Sequence, residues 1–167
     1  MAKETTYTAE QSVIGAIIIE EKSLASVIDI IKAEDFYFPE FKEIYKAILE
    51  LSSQGKSIDF VTVLNQITAN SNYNCIEMKN LLLKCVESTP STSNVENYSN
   101  IVANSNKARK LQEIGTKLAF DGVFAENATE VADEVMGELY ELLSEQHKKR
   151  LQSIDSVGLQ VAKSYKN

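Results

Sequence analysis

The chain has 167 residues, 44% of them apolar and 25% charged, with a formal net charge of −7. That size and usage suit one ordinary domain with an appendage and exclude a disordered or fibrous class. The negative charge argues against a chain that grips a nucleic-acid backbone by itself, because phosphate neutralisation needs clustered Lys and Arg.

The longest apolar run, Val13 to Ile19, is far short of the roughly 20 residues that span a bilayer, and no basic-then-apolar leader precedes it. An intracellular, cytoplasmic protein without a membrane partner is expected. Cys75 and Cys85 form no CxxC pair and His147 is the single histidine, so neither a zinc site nor a disulfide framework is indicated, and both thiols are read as ordinary buried groups. Apolar residues recur at spacings of three and four, which predicts an all-α fold.

The elements follow in order. Thr8 with Gln11 has capping-box spacing and marks a helix start. Val13, Ile14, Ala16, Ile17, Ile18 and Ile19 then put apolar groups all round that helix, so neighbours must cover it on several sides. Gly15 removes a side chain from its middle, which permits close approach by another element. Ser23 to Lys32 carries Leu24, Val27, Ile28 and Ile31, the stripe of a second amphipathic helix. An aromatic connector from Ala33 to Phe38 leads to Pro39, suited to a first helical turn, and to a stripe of Phe41, Ile44, Tyr45, Ile48 and Leu51. Gly55 falls where a left-handed helix cap belongs.

Gly55-Lys56-Ser57 matches the end of a phosphate-loop signature, but Glu50 stands where its first glycine should be and a helix precedes it instead of a strand. A cap followed by a turn is the better reading. Asp59 is a good N-cap for the helix from Phe60 to Ala69, with Val61, Leu64 and Ile67 turned inward. A polar loop, Asn70 to Asn74, precedes a short helix from Ile76 to Val86 that offers Leu81, Leu82 and Val86 to the core. The Ser/Thr/Pro connector Ser88 to Ser93 marks a subdomain boundary.

Ser93 with Glu96 repeats the capping-box spacing. The helix from Asn94 to Phe120 should reach ~40 Å at 1.5 Å per residue. Tyr98, Ile101, Val102, Ser105, Ala108, Leu111, Gln112, Gly115, Leu118 and Ala119 give it small and apolar residues suited to close helix contact, and Asp121-Gly122 is its expected stop. A second helix carries Val131, Val135, Met136, Leu139, Leu142 and Leu143, so the two should form an antiparallel hairpin with Val123 and Phe124 at its tip. Stripes this rich need more cover than two helices provide, and another subunit is the natural source. His147-Lys148-Lys149-Arg150 reads as the solvated end of a helix.

Several ordered blocks carry a resemblance. Ala9 to Ala16, Glu34-Asp35-Phe36-Tyr37, Ile44 to Ile48, Gly55 to Thr62, Ser88 to Tyr98, Ile101-Val102 and Lys107 to Leu111 resemble, in order and spacing, the N-terminal part of DnaB-type bacterial replicative helicases. Asn70 to Asn74 departs from the pattern by lacking a glycine pair. The resemblance implies a small globular multi-helix bundle at 1–90, a long antiparallel helical hairpin at 91–147, and at 148–167 a linker segment and the start of a linker helix, the last resembled by Ile154 to Tyr165.

What the resemblance implies for function is an oligomerisation collar and a docking platform for primase in DNA replication. The helicase would be a homo-oligomer, a hexamer built as a trimer of dimers, with the primase C-terminal domain as partner and a helicase loader as a further one. No nucleic acid would bind this domain directly. The chain itself would be non-catalytic and hold no cofactor, since ATP and Mg²⁺ would bind the motor domain that does not appear before Asn167. Leu81, Gln112 and Leu118 are the candidate partner-binding residues; Tyr98, Ile101, Val123, Phe124 and Leu139 are the candidates for self-association. The alternative is a free-standing phage or accessory protein of the same fold that regulates helicase loading.

Overall fold

The computed structural model describes residues 2–70, 73–124 and 128–143, with the side chains of 2, 70 and 121–124 excepted. All regular structure among them is helical: α1 (Ala2–Ile19), α2 (Ser23–Val27), a 3₁₀ turn (Ala33–Asp35), α3 (Pro39–Ser53), α4 (Phe60–Asn70), α5 (Cys75–Glu87), α6 (Val95–Phe124) and α7 (128–143). No described helix is long and apolar enough to cross a membrane. Packing divides the chain into two units, 1–106 and 107–167. The expected division at 90/91 falls in the connector at 88–94, but the first turns of α6 belong to the globular unit, and the expected division at 147/148 lies outside the described residues.

In the first unit α1 is the centre. Val13, Ile14, Ala16 and Ile17 are buried on it, and α5, α3 and α2 cover it, as its all-round apolar pattern requires. α3 packs on α4, and α4 on α5. Gly15 lies against the C-terminal end of α5, where a Cβ would collide with the Cys85 carbonyl oxygen and the Thr89 hydroxyl. The helix starts earlier than the capping-box reading has it. It runs from Ala2, so Thr8 sits mid-helix and its Oγ1 donates back to the Glu4 carbonyl at 3.1 Å instead of capping.

Other local expectations meet the same test. Pro39 opens α3 after Phe38, whose backbone is extended. α3 ends in a Schellman cap: Gly55 has φ of 65°, its N–H bonds the Ser52 carbonyl at 3.0 Å, and the Lys56 N–H bonds that of Leu51 at 3.0 Å. Gly55-Lys56-Ser57 is therefore a helix terminus. Asp59 Oδ1 accepts the N–H groups of Val61 and Thr62, each at 2.9 Å, and Thr62 Oγ1 accepts the Asp59 N–H at 2.9 Å, closing a reciprocal box at the start of α4. Asn74 caps α5 through Ile76 N–H at 2.8 Å.

Several inward assignments are corrected. α2 stops at Val27 and the chain turns, with Ile30 N–H bonded to Val27 O at 2.8 Å; Leu24, Val27 and Ile31 are buried, but Ile28 is 45% exposed. On α4 the buried residues are Val63 and Ile67, and Val61 points outward at 62% exposure. On α5 Met78, Leu82 and Cys85 face the core, while Cys75 at the first turn is exposed, so only one of the two thiols is buried. Burial pushes the Cys85 thiol up to about 12. Ser93 does not cap α6: its N–H bonds Ser91 Oγ at 3.2 Å and the helix begins two residues on, at Val95. α6 also passes through Asp121-Gly122 and ends at Phe124.

The connector is held from α1. Glu10, with no exposure, accepts the backbone N–H of Tyr37 at 2.6 Å and of Phe38 at 3.2 Å. Phe38 and Phe41 pack their rings on Tyr7, and Phe36 on Tyr45, at centroid separations of 5.0 to 5.2 Å. The first half of α6 closes this unit through Val95, Ser99, Val102 and Asn106, spaced as one helix face. Thr92 Oγ1 bonds Glu20 at 2.8 Å, Thr6 and Ser105 share a hydroxyl pair at 3.0 Å, and Asn106 Nδ2 donates to Asp35 at 2.6 Å.

Candidate docking and self-association surfaces

Among the described residues no three His, Cys, Asp or Glu side chains are grouped so as to hold a metal ion. On the globular unit, Ile101 is exposed and Tyr98 half-buried against the core; with Glu4, Thr5, Thr8 and Ala9 they line a shallow groove between α1 and the start of α6. Leu81 is half-buried and packs against the core. Tyr98 and Leu81 therefore both serve the fold.

Among its described residues the second unit is a pair of antiparallel helices. Lys117 Nζ bridges Glu134 and Glu138 at 2.7 and 2.8 Å, while Lys110, Glu113 and Ile114 stand opposite Glu138, Glu141 and Leu142. The two carboxylates raise the Lys117 pKa by hydrogen bonding, Glu134 first. Val135 is buried, and Ile114, Val131, Leu139 and Leu142 are half-buried. Leu139, a candidate for self-association, is thus half-covered within its own chain.

A further apolar stripe lies outside. On α7, Met136 (67% exposed), Tyr140 (74%) and Leu143 stand at i, i+4 and i+7. On α6, Leu111 and Leu118 (47%) stand at i and i+7 with Gly115 between them. At roughly 100° per residue, the α6 stripe lies roughly 110° round from its inward residues and the α7 stripe roughly 140° round. Because the helices run in opposite directions, those rotations bring both stripes to the same side of the pair. A Cβ on Gly115 would meet nothing within 4 Å, so the chain's own packing does not require that glycine.

Met136 and Leu143 are exposed, so they are among the stripe residues that the other helix of the hairpin does not cover. Tyr140 and Phe120, both exposed, were not among the candidates; Tyr140 was legible as the middle of the 136, 140, 143 spacing. Gln112 is exposed, its carbonyl accepting the Thr116 hydroxyl at 2.9 Å. The backbone of Val123 and Phe124 completes α6, but their side chains, like His147 and everything from 144 to 167, lie outside the described residues.

Comparison with known proteins places these surfaces in context. Residues 2–104 match the family model described as the DnaB-like helicase N terminal domain. The replicative DNA helicase DnaB of Geobacillus stearothermophilus is 29% identical over 153 residues, which is 91% of this chain and 34% of that protein. The chain thus spans about a third of the length of that relative. The crystal structure of the N-terminal domain of DnaB helicase from Mycobacterium tuberculosis superposes with a TM-score of 0.75 at 30% identity, over 81% of this chain and 96% of that one. A DnaB-like replicative helicase, whose structure was described with its interactions with primase, shares the fold with a TM-score of 0.66 at 20% identity, over 82% of this chain and 30% of that one. By the match over residues 2–104 and the shared helical architecture, the chain belongs to the DnaB-like helicase N-terminal domain family.

Proposed function

We propose that this chain serves as the N-terminal module of a replicative DNA helicase, acting in DNA replication in the cytoplasm as oligomerisation collar and primase-docking platform, and not as a catalyst. The observation that carries the reading is the exposed apolar side of the hairpin, formed by Leu111, Leu118, Met136, Tyr140 and Leu143. Two helices cannot cover an inner and an outer stripe at once, and an apolar side this extended is what an association surface needs. A second copy is its occupant, and six modules would assemble as a trimer of dimers.

The primase C-terminal domain would use what the second copy leaves free, with Gln112 on the hairpin as the proposed contact. Support comes from the family membership and from the DnaB-like relative described with primase. A helicase loader is a further partner. ATP, Mg²⁺ and DNA would be handled by a motor portion of the kind found in the remaining length of a replicative helicase; a net charge of −7 suits a module that leaves DNA to other parts.

Analytical ultracentrifugation of the purified chain at micromolar concentration tests the first part, and titration with the cognate primase C-terminal domain the second. Dimers or larger species together with primase binding are expected. A strict monomer at high concentration overturns the collar, and absence of primase binding overturns the platform. ATP turnover, or tight DNA binding at moderate salt, would replace the module reading altogether.

A further inference from the structure

We draw no further inference here: the strongest candidate, the open groove beside α2 lined by Leu24, Ala25, Ile28, Ser52 and Ile58, carries both acidic and basic side chains in Glu20, Glu21 and Lys22, and nothing in the structure shows what covers it.

Discussion

The carboxylate of Glu10 in the middle of α1 accepts the backbone N–H of Tyr37, 27 residues away, at 2.6 Å, and does so with no exposure to solvent. With the second bond, from Phe38 N–H, it satisfies two donors of the segment that leads into α3. The relationship resembles an N-cap supplied from another helix. It fixes where the aromatic connector enters the core.

Glu10→Gln should therefore destabilise the fold, because the amide presents an N–H group to one of two backbone donors. A hydrogen bond to a charged group contributes about 1.5 to 3 kcal/mol, and Glu10→Ala should cost more by leaving both donors unmet. Urea denaturation of the two variants measures this. Wild-type midpoints for both would show the connector is held by its rings alone.

Gly15 and Gly115 should respond oppositely to alanine. At Gly15 the new Cβ meets the Cys85 carbonyl oxygen and the Thr89 Oγ1 that itself bonds that carbonyl at 2.7 Å, so neither neighbour yields freely. A loss of about 1 to 3 kcal/mol is expected, and Gly15→Leu should be worse. At Gly115 the Cβ enters open space, and helix propensity should raise stability by up to about 1 kcal/mol. Thermal melts of the single variants decide the sign at each position.

Asp59 gives α4 a pH-dependent start. Its backbone hydrogen bond from Thr62, the largest influence, and that from Val61 hold its carboxyl below the usual carboxylate range, against a smaller opposing effect of burial. A depressed folded-state pKa means the contribution is present above the unfolded value, near pH 4, and fades as pH falls through the folded value. Asp59→Ala should lose about 1 kcal/mol at pH 7, and the gap to wild type should narrow below pH 4. Asp59→Asn should keep most of the cap at neutral pH. An Asp59→Ala gap that does not change between pH 7 and pH 3 would count against the ionised cap, and unchanged melting with lost partner binding would make Asp59 a contact residue.

The outer stripe of the hairpin is open to a test that separates association from folding. Met136 and Leu118 are exposed, so Met136→Glu and Leu118→Glu should leave the circular dichroism spectrum and melting of the chain near wild type while raising its dimer dissociation constant at least tenfold. Gly115→Leu should act in the same direction by blocking close approach of a second copy. Sedimentation equilibrium reads all three, and unaltered association in every variant would remove this side from the interface.

Gln112 serves as the probe for primase. It is exposed on α6, so Gln112→Glu should not disturb the fold, and binding of the primase C-terminal domain should weaken several-fold. Calorimetric titration of the folded variant at wild-type affinity would take Gln112 out of the docking surface.

Sequence alone was enough wherever a few neighbouring residues settle the outcome. Pro39 at the first turn of α3, the Gly55 cap and the Asp59 cap were all readable, because each depends on hydrogen bonds within four or five residues. The same holds for the centre of α1, where Val13, Ile14, Ala16 and Ile17 are buried as their all-round apolar pattern requires, whereas Ile19 at its end is 48% exposed. The ordered blocks from Ala9 to Val102 were likewise legible as a family pattern, and the match over residues 2–104 agrees with them. Tertiary structure decided the rest. Thr8 has capping-box spacing, yet a turn and more of helix precedes it, and Ser93 has the same spacing two residues before its helix begins. Where two apolar residues stand side by side, as Val135-Met136 and Leu142-Leu143 do, periodicity admits either phase; the position of the neighbouring helix chose Val135 and Leu142 for the inside and left Met136 and Leu143 in solvent. Glu10 is the plainest case: a carboxylate is buried only when distant donors compensate its lost hydration, and those donors, Tyr37 and Phe38, come within reach only once the chain has folded.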